Sequence, residues 1–174
     1  MSFFILSSMV FVFCAIIMTI YFGPGAAGSG VPELMGILNG VNIPDTIGFK
    51  TTITKIIGTV LAVAGGLCIG KEGPLAHIGA NIGVIVSHIP LAYFRPLHND
   101  VYKRQMMSSG ISAGVSAAFG APIGGTLFSY EISKPNTFWT FGMLWRVFIC
   151  SCVSTFTLSI LTSLQQDAPF SLSD

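Results

Sequence analysis

Three times in this chain a long apolar run is cut by the same device: small residues, one polar or charged side chain, and a proline. The interruptions are Gly28-Ser29-Gly30-Val31-Pro32-Glu33, Gly70-Lys71-Glu72-Gly73-Pro74 and Gly120-Ala121-Pro122-Ile123-Gly124-Gly125. Glycine lets backbone N–H groups approach a ligand closely, and proline suits the first helical turn. A helix start carries unpaired N–H donors and about half a positive charge. Inside a membrane, such a broken start can hold an anion without burying a full cation. Irregular backbone at that depth is tolerated only where it is buried in protein or lines a wet cavity. Three such breaks favour a transporter or channel over a receptor anchor.

Composition agrees with a membrane setting. Of 174 residues, 52% are hydrophobic and 9% charged, whereas a soluble domain is about 25% charged. The net charge of +1 argues against a nucleic-acid partner. Cys14, Cys68, Cys150 and Cys152 all lie in apolar runs without zinc-ligand spacing, and they read as small apolar fillers. No metal, nucleotide or organic cofactor is indicated. The first apolar run, Phe3–Phe22, has no basic n-region and is too long for a signal-peptide core. It reads as a spanning helix.

Further along, Gly23-Pro24-Gly25 breaks the first helix, and Pro32 starts a short one to Leu38. A second long segment runs from Ile47 to Ile69, and Pro74 opens a helix that continues to His88. Arg95–Arg104, the most polar stretch, reads as a loop whose basic residues suggest the cytoplasmic side. Met106–Phe119 is rich in glycine, alanine and serine and suits close helix packing. Pro122 starts another short helix to Ser133, Pro135-Asn136 is a turn, and Trp139–Leu164 is the last spanning helix. Gln165–Asp174 is a polar tail.

In this order and spacing the motifs resemble those of the CLC family of chloride channels and chloride/proton exchangers. Gly28–Glu33 matches the family's G-S-G-I-P-E with Val31 for isoleucine. Gly70–Pro74, extended by His77, matches G-K-E-G-P-x-x-H, and Ala117–Glu131 matches the third motif. The tract Phe138-Trp139 to Arg146, with Ser154–Leu158, looks closest to the eukaryotic endosomal and lysosomal branch. The resemblance implies an all-α polytopic membrane protein of long tilted helices and short discontinuous half-helices. It also implies that residues 1–174 are one partial transmembrane domain, the first part of an inverted repeat. The second half, with its own anion-site motif, and any cytosolic regulatory domains are absent from this stretch.

Carried over residue by residue, Ser29 matches the serine that coordinates the central chloride. Glu72 matches the gating glutamate, and Lys71, Glu72 and Gly73 match backbone donors to the anion. Gly28, Gly30, Pro32, Gly70, Pro74, Pro122 and Glu131 are supporting motif positions. The implied function is a voltage- or pH-gated chloride channel, with a chloride/proton antiporter as the alternative. Exchangers usually carry a second glutamate where this chain has Ile132, which leans toward a channel; the endosomal likeness leans toward an exchanger. The implied partners are chloride, the lipid bilayer, a second copy of the chain through Pro122–Ser133 and Trp139–Leu164, and protons in the exchanger. The implied location is an integral, multi-pass one in an endosomal, lysosomal or other internal membrane, with the plasma membrane as the alternative.

Blander readings stand beside these. Glu72 near a helix start complements the helix dipole by about 0.3–1 kcal/mol, and from spacing alone gate and cap are equally good. Ser29 could be a packing serine, and Glu33 a dipole-complementing residue. Lys55, in an apolar run, could snorkel, pair with Glu33 or shape the local potential, a structural or field role being favoured. His77 and His88 lie about 16 Å apart along a helix, which excludes a shared metal, and His77 reads as a hydrogen-bonded packing residue. Gly110-Ile111-Ser112-Ala113-Gly114 fits G-x-S-x-G, so an intramembrane serine protease with His77 is a remote alternative. A purely structural membrane subunit is a third.

Overall fold

A computed structural model describes residues 2–88, 99–134 and 139–166. These residues form seven α-helices and one short 3-10 turn: α1 Ser2–Phe22, the turn Pro24–Ala26, α2 Val31–Leu38, α3 Phe49–Ala64, α4 Glu72–Ser87, α5 Asp100–Phe119, α6 Pro122–Ser133 and α7 Phe141–Gln166. The all-α expectation holds among the described residues. Two of these helices are long and apolar enough to cross a membrane, through windows Ile5–Phe22 and Phe141–Gln165.

Several boundaries differ from the sequence expectation. The segment expected over Ile47–Ile69 is helical only to Ala64. Gly65 caps it and Gly66 turns the backbone left-handed at φ +79°. The Ser8 hydroxyl donates to the Gly65 carbonyl at 2.6 Å, tying this end to α1. Sixteen residues reach about 24 Å, short of a hydrocarbon core of about 30 Å. The polar stretch expected as a loop to Arg104 is a helix from Asp100 onward, with Asp100 itself in the first turn. An acid there complements the helix dipole, a start signal masked by the nearby basic residues. The rest of that expected loop, Arg95 to His98, lies outside the described residues, as do the Pro135-Asn136 turn and residues 167–174. Cys14 and Cys68 are exposed, so they fill no gap within the chain.

At the centre, α4 and α5 pack backbone to backbone. A Cβ on Gly79 or Gly83 would run into the Gly110 or Met106 carbonyl, and one on Gly110 or Gly114 into the Gly79 or Leu75 carbonyl. Only glycine allows this approach. Leu34, Leu38, Ala80, Val84, Met107, Ile111 and Ile132 close the core between α2, α4, α5 and α6. On its other side, α5 meets α6 and α7 through hydroxyls. Ser108 bonds Ser133 at 3.1 Å, and Ser129 donates to the Ser108 carbonyl at 2.7 Å. Ser151 bonds both Ser112 and Thr126, and Ser154 donates to the Ala113 carbonyl at 2.9 Å. In a medium without water, such hydroxyl bonds hold helices together.

Candidate functional site: a cavity where two broken helix starts meet

A cavity of about 660 Å³ lies between α1, α3, the segment 26–29 and the start of α4. Gly28 and Ser29 of the first interruption line it, and so do Gly70, Glu72, Gly73 and Pro74 of the second. They are some forty residues apart in sequence and in contact in space. A Cβ on Gly73 would sit 2.8 Å from the Ser29 Cβ, so the first turn of α4 is laid directly on Ser29.

The helix start differs in detail from expectation. α4 begins at Glu72, with Lys71 as its N-cap, two residues before Pro74. Proline in the first turn removes an N–H that has no helical acceptor anyway. The N–H groups of Glu72 and Gly73 are left without intrahelical partners on the cavity side. The Glu72 side chain is half-buried and folds back over Gly70, where its carboxylate would meet any added Cβ. The carboxylate therefore sits on the rim that the helix start makes attractive to negative charge.

Ser29 is exposed, and its hydroxyl accepts a 3.4 Å bond from the Val31 N–H. It precedes the N-cap Gly30 of α2, which is left-handed at φ +83°. Gly30 abuts the imidazole of His77, which would occupy the place of a Cβ. His77 is fully buried, and its Nε2 bonds the Thr46 carbonyl at 3.0 Å. Asn81 Nδ2 donates to the same carbonyl at 3.4 Å. His77 thus packs and hydrogen-bonds, as expected, and its position makes α4 the support for the start of α2.

Lys55 is the residue that sequence reasoning underweighted. It is 3% exposed, and its ammonium donates to the Ala26 carbonyl at 2.9 Å and the Gly28 carbonyl at 2.7 Å. It bonds these carbonyls rather than Glu33, one of whose oxygens is buried without a hydrogen-bond partner. A lysine deep in an apolar run, about one and a half turns past Lys50 near the start of α3, was the available signal; its target was not readable.

The other predicted residues lie elsewhere. Lys71, Gly30 and Pro32 flank the cavity without lining it. The third interruption does not reach it. Pro122 opens α6 as expected, but neither it nor Glu131 lines the cavity. The Glu131 side chain is 72% exposed, with the Lys134 ammonium 3.9 Å away. Ile132 is buried in the core. The protease pair does not form, because the Ser112 hydroxyl bonds Ser151 and His77 bonds Thr46. The glycines of that G-x-S-x-G pattern are the α4 contacts described above.

The family described as "Voltage gated chloride channel" matches residues 11–173. Chloride channel protein D of Dictyostelium discoideum is 45% identical over 157 residues, covering 86% of this chain and 16% of that protein. H(+)/Cl(-) exchange transporter 7 of Homo sapiens is 41% identical over 170 residues, covering 94% of this chain and 21% of that protein. Chloride channel protein CLC-d of Arabidopsis thaliana is 40% identical over 157 residues, covering 86% of this chain and 20% of that protein. The chain thus spans about a fifth of the length of the curated relatives it matches.

Proposed function

Because the chain belongs to the voltage-gated chloride channel family, a family of membrane-integral channels and transporters, we propose that it builds one side of a chloride pathway. It works as part of a longer membrane domain that supplies the facing side. One observation carries the reading: two broken helix starts, at Ser29 and at Glu72–Gly73, meet on one cavity that also holds a buried ammonium group. Ser29 supplies a hydroxyl and Glu72–Gly73 supply backbone N–H groups to the anion. All are neutral donors, so the ion's direct ligands carry no charge, while the Lys55 ammonium in the same wall is turned to the Ala26 and Gly28 carbonyls. The Glu72 carboxylate occupies the attractive rim when no chloride does, and protonation releases it. Glu72 is therefore the gate, and acid on its side of the membrane favours opening.

A second reading is a chloride/proton exchanger, which the 41% identity to a relative named as an exchange transporter favours. Against it, Ile132 is apolar and buried where exchangers usually have a proton-carrying glutamate. The exposed apolar faces of α6 and α7, with Ile123, Leu127, Trp145, Ile149 and Val153, support a homodimer. The likeness to the endosomal and lysosomal branch supports an internal membrane.

The test is flux from liposomes that hold the full-length protein, under a chloride gradient with external pH recorded. Chloride efflux without proton movement is the expected result. Opposed proton flux that Glu72→Ala abolishes would make the protein an exchanger. No chloride flux from well-folded protein would overturn the transport reading.

A further inference from the structure

The Lys55 ammonium joins two carbonyls, those of Ala26 and Gly28, that lie two residues apart on the cavity wall. Both peptides are trans, so the N–H on each points opposite to its carbonyl. The Ala27 N–H, on the first peptide, is used by the Pro24 carbonyl at 3.2 Å. The Ser29 N–H, on the second, makes no backbone hydrogen bond among the described residues. Gly28, at φ +66° with nothing within 4 Å of an added Cβ, is the hinge at which this second peptide can rotate. Glycine tolerates either orientation about equally. One orientation sends the carbonyl to Lys55, and the reverse turns that oxygen away from it, toward the side where the Ser29 N–H now points.

We infer that Lys55 is a positioning residue for anion selectivity: it locks the Gly28–Ser29 peptide so that the segment bearing Ser29 presents donors, not a carbonyl, to the ion. The inference rests on the chloride reading above. A full charge inside an apolar segment is costly, and here two charge-assisted hydrogen bonds offset that cost. The same charge repels cations from the wall. A residue serving only to pack α3 would need neither the charge nor two carbonyls on one peptide segment.

The experiment measures the chloride-to-nitrate permeability ratio of the full-length protein in liposomes, for wild type, Lys55→Gln and Lys55→Arg. Glutamine keeps N–H donors but loses the charge and some reach; the expected shift in the ratio is about fivefold or more. Arginine keeps charge and donors and should hold the ratio within about twofold. An unchanged ratio in Lys55→Gln overturns the inference. An equal shift in Lys55→Arg also overturns it, since any change of shape would then suffice. If Lys55→Gln does not assemble, the test passes to Gly28→Ala, which strains the same peptide where there is room for the methyl group. A shift in the same ratio is expected there, and no shift overturns the inference. Absence of anion flux in the wild type would sink the chloride reading itself, whereas normal wild-type flux with an unmoved ratio sinks this inference alone.

Discussion

Helix α5, with its glycine seam against α4, and the Ser29–Glu72 rim use the same two residue types in opposite ways. In the seam, Gly79, Gly83, Gly110 and Gly114 are glycines because a carbonyl of the other helix fills the place of each Cβ. At the rim, Gly28 has open space around it and is glycine for its left-handed backbone. Serine divides likewise. Ser108 and Ser112 are fully buried and bonded across helices. Ser29 is exposed, and among the described residues its hydroxyl is engaged by the nearby Val31 N–H alone. On α5, then, glycines close the face toward α4, and bonded serines hold the face toward α6 and α7. The rim has left donors unspent, which is what a transient ligand requires.

Substitutions at paired positions would break or sharpen this contrast. Gly110→Val forces atoms into the opposite backbone and should cost about 3 kcal/mol. A lower melting temperature and loss of the intact species on size exclusion would show it; an unshifted melt would mean the seam can open. Gly28→Ala meets no neighbour, so only the left-handed strain remains, about 1–2 kcal/mol. Its melting temperature should fall by less than that of Gly110→Val. An equal fall would erase the distinction between crowding and conformation. Glu72→Ala should change stability least, by about 0.3–1 kcal/mol from the helix dipole, yet remove the dependence of chloride flux on pH at the gate side. A flux that still tracks pH in this variant would return Glu72 to the role of a helix cap.

Much of this was legible along the chain, and the reasons differ by residue. Pro122 and its short helix to Ser133 were readable because proline and the flanking glycines act locally. The early end of α3 at Ala64 was missed because the apolar pattern continues through Leu67 and Ile69, while Gly65-Gly66 and the bond from Ser8 terminate the helix. The early start of α5 was missed because Lys103 and Arg104 read as a loop, although Asp100 is a good first-turn residue. Ser29, Glu72 and Gly73, which the motifs single out, line one cavity. Glu131 is grouped with them by motif, but it is exposed near Lys134 at the end of α6 and does not line the cavity.

The amino-acid sequence by itself determined that this chain is helical, apolar and broken at three places by glycine and proline, because helix starts and stops depend on residues a few positions apart. It also determined the family, through motifs that keep their order and spacing. Only the tertiary structure decided which breaks meet. Two converge because α4 lies against Ser29 through Gly73 and against Gly30 through His77, contacts between residues forty or more positions apart. It alone gave the Lys55 ammonium its two carbonyls. A buried charge must find partners wherever the fold brings them, and no local pattern along the chain names them in advance.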